Sequence, residues 1–195
     1  MTKKEAVIIQ GYFAIATLIT LIIMVLFRVL QLRKMGIKAM KFGHMDKKDF
    51  LIIPFVLLFF YIVFSSVFSI PQLGTALFSN EIVSWVGVVL CLLGLIFFLL
   101  TLISFSRSFR VGIDEEQPGP LITTGTLAIS RNPIYTSFGF VLLGIFLIFS
   151  NWILLLYLIA GIWLFNRQVL REEDSLKKIY GEEYIEYCKK VRRYL

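Results

Sequence analysis

Two polar clusters interrupt an otherwise apolar chain: Ser130-Arg131-Asn132-Pro133-Ile134-Tyr135, and Arg167 with Arg171, Glu172 and Glu173. These side chains can pair charges, share hydrogen bonds and hold an ionic ligand. Charge at the edge of hydrocarbon is costly unless it is paired or lines a wet cavity. Arg167 and Arg171, four residues apart, share a helical face, whereas Glu172 and Glu173 point about 100° apart around the helix. One carboxylate can therefore turn back into the protein while the other faces outward or across to the loop 106–133. Taken alone, the first cluster reads as a helix entry, with Pro133 where a missing N–H costs nothing, Asn132 as N-cap and Arg131 reaching to the interface.

The elements that must position these clusters are membrane helices. Of the 195 residues 58% are hydrophobic and 19 are Phe, which does not fit a soluble domain. The apolar residues fall in separated blocks long enough to cross a hydrocarbon core of roughly 30 Å as helix. Spans are predicted near 6–27, 50–70, 82–105, 134–149 and 152–170. Lys3 and Lys4 before an apolar run resemble a signal peptide, but the run continues to Phe27 and is read as the first span. The last two spans are separated by little more than Ser150 and Asn151, which forces an antiparallel hairpin. That hairpin brings residues 130–136 close to residues 167–174. Gly139 and Gly144 on one arm, with Ala160 and Gly161 on the other, are expected to let the arms approach. Gly87, Cys91 and Gly94 are expected to serve helix packing within the third span. Gly125 permits a conformation or a close approach that other residues resist.

The net charge of +7 is mostly topology. Arg28, Arg33, Lys34, Lys38, Lys41, Lys47 and Lys48 crowd the first loop, and the second, residues 71–81, has no Lys or Arg. Arg107, Arg110 and Arg131 lie in the third loop, and the tail is rich in Lys and Arg. The positive-inside bias then predicts N-out, C-in. These basic residues sit beside spans, so they point to anionic lipid and not to nucleic acid. His44 is the only histidine and has no Cys or His companion, so no metal site is expected. Asp114-Glu115-Glu116 reads as a solvated loop, and Gln117-Pro118-Gly119-Pro120 as an irregular segment. After Glu173, Leu176, Ile179, Tyr180, Tyr184, Tyr187, Cys188 and Val191 keep a helical apolar stripe broken by Gly181, the pattern of an interfacial amphipathic helix that can also act as a lid. The fold class is therefore all-α: an integral membrane helical bundle of five transmembrane helices with a C-terminal hairpin and a cytosolic tail helix. It forms one domain, 1–195, divided into three N-terminal spans (1–105) and a C-terminal part (106–195).

Residues 121–192, "LITTGTLAISRNPIYTSFGFVLLG" followed by "REEDSLKKIYGEEYIEYCKKVRRYL", resemble the isoprenylcysteine carboxyl methyltransferase family and related phospholipid methyltransferases. That pattern is Leu-Val-x-x-Gly-Pro-Tyr, Arg-His-Pro-x-Tyr, a membrane hairpin, and Glu-Glu-x-x-Leu-x-x-x-Phe-Gly-x-x-Tyr-x-x-Tyr. The resemblance implies an S-adenosylmethionine-dependent methyltransferase in the cell membrane, with its cofactor pocket facing the cytosol and a lipophilic or lipidated acceptor. Gly125, Arg131, Asn132, Pro133 and Tyr135 then form the first cofactor segment, and Glu172 and Glu173 the second. Asn132 stands where the family has His, Thr126-Leu127 where it has Pro-Tyr, and Tyr194-Leu195 where a proline is often found.

Asn132 cannot carry a proton at neutral pH, which excludes a histidine base there. A carboxylate acceptor needs none, since a chain-terminal carboxyl with a pKa of roughly 3.3–3.7 is already ionised. Arg171 or Arg192 could hold that carboxylate bidentately. The glutamates could receive the cofactor's ammonium, ribose hydroxyls or sulfonium charge. Two other classes share the architecture: NADPH-dependent membrane reductases of sterols or isoprenoids, which need more basic contacts for the extra phosphate, and a non-catalytic accessory subunit.

Overall fold

The computed structural model describes residues 3–34, 52–68, 70–105 and 119–195. Lys38, Lys41, His44, Lys47, Lys48, Arg107, Arg110, Asp114-Glu115-Glu116, Gln117 and Pro118 lie outside the described residues. Among the described residues the helices are α1 (Lys3–Lys34), α2 (Ile52–Ser65), α3 (Glu81–Phe105), a single 3₁₀ turn (Gly125–Ala128), α4 (Pro133–Phe149), α5 (Trp152–Tyr180) and α6 (Glu182–Lys190). The all-α expectation holds.

By length and composition α1, α3 and α5 can each cross a membrane, while α4 and the Val56–Ser65 part of α2 are shorter apolar helices. Large apolar side chains such as Phe27, Ile103, Ile159 and Trp163 point outward, as a lipid-facing surface requires. Helix α5 runs ten residues past its expected end at 170, so Glu172 and Glu173 ride on the same rigid rod as the second hairpin arm. It stops at Gly181, whose φ of 53° suits glycine, as the break in the stripe foretold.

The Ser150-Asn151 turn is as tight as expected. Ser150 adopts φ 49°, and the Asn151 side chain accepts a hydrogen bond from the Ile153 N–H at 2.8 Å, capping α5. The loop before α3 braces this turn, with Asn151 Nδ2 donating to the Leu73 carbonyl at 2.8 Å and the Leu77 N–H to the Ser150 carbonyl at 2.7 Å.

The small residues of α4 do not work as expected. A Cβ on Gly144 would lie 2.6 Å from the Gly87 carbonyl oxygen and 2.7 Å from Cys91 Sγ, and one on Gly94 would lie 2.8 Å from Val141. The close backbone approach is therefore between α3 and α4, which bears out the packing role of Gly87, Cys91 and Gly94. Between the hairpin arms a Cβ on Gly161 would press on Leu142, and one on Gly139 would meet nothing within 4 Å. Val141 and Ile145 of α4, Val88 of α3 and Ala14 of α1 share the main core, and Phe98 of α3 stacks on Phe138 of α4 at 5.5 Å.

Candidate functional site

The cluster at the end of the hairpin is organised by Glu173, whose side chain is 2% exposed. Arg131, just before α4, donates to Glu173 Oε1 from Nε (3.2 Å) and Nη2 (3.0 Å), and Asn132 Nδ2 adds a third bond to the same oxygen at 3.2 Å. Arg193 donates to Oε2 from Nε (3.0 Å) and Nη2 (2.9 Å). Both carboxylate oxygens are thus taken. Charge-assisted bonds of this kind, with two N–H groups of each guanidinium converging on one oxygen, make a buried carboxylate tolerable.

Arg131 also ties down the tail. Its Nη1 donates to the carbonyls of Cys188 (3.0 Å) and Val191 (2.9 Å), placing a cation at the C-terminal end of α6, where the helix dipole favours it. Its N–H donates to the Arg192 carbonyl at 2.9 Å, and Ser130 Oγ and Asn132 Nδ2 donate to that of Arg193. The segment after α6 is therefore a strap laid across the entry to α4.

The tail helix packs the Tyr184 and Tyr187 part of its apolar stripe onto the protein. Tyr184 and Tyr187 are buried, and the Tyr187 hydroxyl donates to the Leu127 carbonyl at 2.6 Å. Burial pushes the Tyr187 phenol up to about 12, and burial next to Glu173 raises that of Tyr184. Hydrogen bonding to Glu173 raises the Arg193 guanidinium above its ordinary value.

Gly125 has φ +65°, and a Cβ there would collide with the Ser104 side chain, whose Oγ accepts from the Thr126 N–H at 3.1 Å. The close approach expected of Gly125 thus fastens the 3₁₀ turn to the end of α3. Thr126 Oγ1 is buried and has no partner among the described residues.

Glu172, one residue from Glu173, is only half-buried. Its Oε1 accepts from the Tyr135 hydroxyl at 2.6 Å and from Gln168 Nε2 at 3.1 Å, and its Oε2 has no hydrogen-bond partner among the described residues. Tyr135 also lines a cavity of about 260 Å³ between α4 and α5, together with Thr136, Gly139, Ile162, Phe165, Asn166 and Tyr194. A second cavity, of about 200 Å³, lies at the opposite end of the hairpin near Gln10, Asn80 and Asn151.

The hairpin thus joins the two predicted clusters: Arg131, Asn132, Tyr135, Glu172 and Glu173 meet, and Pro133 starts α4 as expected. Three points differ. Asn132 occupies the N-cap position without capping through its side chain, which goes to Glu173 instead. Arg171 and Arg192 are exposed, and among the described residues neither guanidinium has a hydrogen-bond or ion-pair partner. Arg193, which sequence reasoning passed over for its neighbour, is the tail arginine that enters. The chain at Val191 is extended, so successive side chains face opposite ways, and one member of an Arg-Arg pair must point out. Tyr194 and Asn166, hydrogen-bonded to each other at 3.1 Å, were also missed, because nothing local marks them as cavity residues.

A model of the phospholipid methyltransferase family matches residues 82–183, from α3 into α6. The probable protein-S-isoprenylcysteine O-methyltransferase of Oryza sativa subsp. indica is 29% identical over 139 residues, 67% of this chain and 73% of that protein. Protein-S-isoprenylcysteine O-methyltransferase B of Arabidopsis thaliana is 30% identical over 108 residues, covering 54% of this chain and 55% of the relative. In fold, the chain is similar to the eukaryotic intramembrane Ras methyltransferase ICMT (isoprenylcysteine carboxyl methyltransferase), with a TM-score of 0.59 at 17% identity over 84% of this chain. It spans 58% of that protein's length.

Proposed function

The chain belongs to the phospholipid methyltransferase family, and we propose that it methylates the carboxylate of a lipophilic acceptor, with S-adenosylmethionine as donor, at the open end of the α4–α5 hairpin. The observation that carries this reading is the half-committed Glu172 beside an apolar cavity. A cofactor bearing a sulfonium and an ammonium needs a carboxylate with acceptor capacity to spare. Glu172 Oε2 has it, and Glu173 does not. Glu172 and Tyr135 are therefore the residues that hold the cofactor, while Arg131, Asn132 and Glu173 shape the segment around it.

Bound there, the cofactor would supply an electrophilic methyl group to the acceptor carboxylate, with the sulfonium sulfur as leaving group, and an ionised acceptor would need no residue to take a proton. The chain's own work is alignment and exclusion of water. Arg171 and Arg192, exposed and without partners among the described residues, are available to hold the acceptor carboxylate. The α4–α5 gap gives the acceptor's apolar part a sideways route from the bilayer. The names of the plant relatives support an acceptor among the S-isoprenylated cysteines. The basic first loop and tail support five spans in a cell membrane, with the N-terminus outside and the site facing the cytosol.

Calorimetry on the detergent-purified protein tests this. Saturable binding of S-adenosylmethionine and S-adenosylhomocysteine, weakened at least about tenfold in Glu172→Gln, is expected, with methyl transfer to N-acetyl-S-farnesylcysteine. Binding of NADPH in their place would make the protein a reductase. Silence from all three ligands would make it an accessory subunit.

A further inference from the structure

Gly139 stands apart from the other glycines of the helical core. A Cβ at Gly87, Gly94 or Gly144 would come within about 3 Å of neighbouring backbone, so packing demands glycine at each, and one at Gly161 would press only on the end of the Leu142 side chain. At Gly139 a Cβ would meet nothing within 4 Å, and the position lies inside α4 without a positive φ. Glycine within a helix is unfavourable relative to alanine. Neither close packing nor a special backbone conformation offsets that cost here. What glycine supplies at this position is room.

The room belongs to the α4–α5 cavity. Gly139 lies one helical turn, about 5.4 Å, beyond Tyr135 along α4, and Ile162 lies about one turn before Asn166 along α5. The cavity therefore runs inward from the level of Tyr135, Asn166 and Tyr194 to the level of Gly139 and Ile162, with Phe165 as one wall. Its polar groups gather at one end, where Tyr135 reaches Glu172 and Tyr194 reaches Asn166. Its other end is apolar and is lined by Gly139 and by Ile162, which is 55% exposed on the surface of α5.

We propose that Gly139 is a specificity-determining residue, which with Ile162 sets the length and girth of acceptor hydrocarbon chain that can lie between the arms while its carboxylate waits near Glu172. This rests on the methyltransferase reading and adds to it the part of the acceptor the protein measures. The occupant is an unbranched or isoprenoid chain, because the slot lies between two helices and, among the described residues, its lining carries no charged side chain. Gly139→Leu fills the slot from α4, and Ile162→Phe narrows it from α5.

The test is methyl transfer from S-adenosylmethionine to N-acetylcysteine thioethers carrying octyl, dodecyl and hexadecyl chains, with S-adenosylhomocysteine affinity measured by calorimetry as the separate readout of fold and cofactor site. In Gly139→Leu the KM is expected to rise with chain length, by about tenfold or more for the longest chain, while S-adenosylhomocysteine affinity stays at the native value. Gly139→Ala, which adds one methyl group in open space, should show the same trend weakly, and Ile162→Phe should reproduce it. An equal loss on all three chains, or none, at native S-adenosylhomocysteine affinity would overturn the role of Gly139 and leave the methyltransferase reading standing. A native protein that binds S-adenosylhomocysteine yet methylates none of the series would overturn the carboxylate-acceptor reading and this inference together.

Discussion

Glu172 and Glu173 are chemically identical neighbours on one helix, and the molecule treats them oppositely. Glu173 faces Arg131, Asn132 and Arg193 with five N–H donors on its two oxygens, and it fastens α4, α5 and the strap after α6 to one another. Glu172 makes two bonds through one oxygen and leaves the other to whatever enters from the α4–α5 side. A carboxylate whose hydrogen-bonding capacity is saturated by the fold is part of the fold. One with capacity to spare can serve a ligand. A Glu-Glu pair on a helix thus divides the labour, because residues about 100° apart cannot face the same neighbours.

The largest break in this contrast is expected from Glu173→Gln. It leaves two guanidiniums without their buried counter-charge and should cost about 3–5 kcal/mol, read by thermal or denaturant unfolding in detergent. Glu173 is buried and not at a wet edge, so its loss is expected to harm folding. Arg193→Gln removes the more exposed partner, 39% exposed, and should cost less, about 1–2 kcal/mol in the same assay.

Alkaline pH probes the same knot. Tyr187 titrates at about 12 in the folded protein and near 10 unfolded, and Tyr184 and Arg193 are shifted upward too. The folded state then holds more protons than the unfolded one. Its stability is complete below about pH 10 and falls as pH rises toward 12. Tyrosine absorbance and tail protection from hydrogen exchange should change together in that window.

Asn132→His should keep the fold within about 1 kcal/mol, since a ring N–H can take over the bond to Glu173; a protein that no longer folds would instead assign Asn132 a purely local role at the helix entry. Glu172→Gln should leave stability within about 0.5 kcal/mol while weakening S-adenosylhomocysteine binding, the reverse of Glu173→Gln. Equal stability losses in the two Gln variants would erase the contrast.

Local patterns foretold a good deal of this. Pro133 opening α4, the break at Gly181, the Ser150-Asn151 turn and the meeting of Arg131 with the glutamates all follow from rules that act within a few residues or from the shortness of one connection. The role of Gly144 was misread, because spacing shows which residues share a face but not which helix that face meets, while Gly139 faces α5 but leaves space there instead of close contact. Arg193 was passed over for Arg192 because a choice between adjacent arginines depends on whether the chain there is helical or extended.

The sequence by itself determined that the chain is a helical membrane protein with a hairpin at its C-terminal end, since apolar block length and hydrogen-bond satisfaction in lipid leave few alternatives. It also determined that two polar clusters must meet there. Only the tertiary structure decided which carboxylate is consumed and which is left available, which glycine packs and which leaves space, and where the tail helix docks on the protein. Those outcomes depend on the rotation of each helix about its axis and on partners about 20–60 residues away, such as Arg193 for Glu173 and Leu127 for Tyr187.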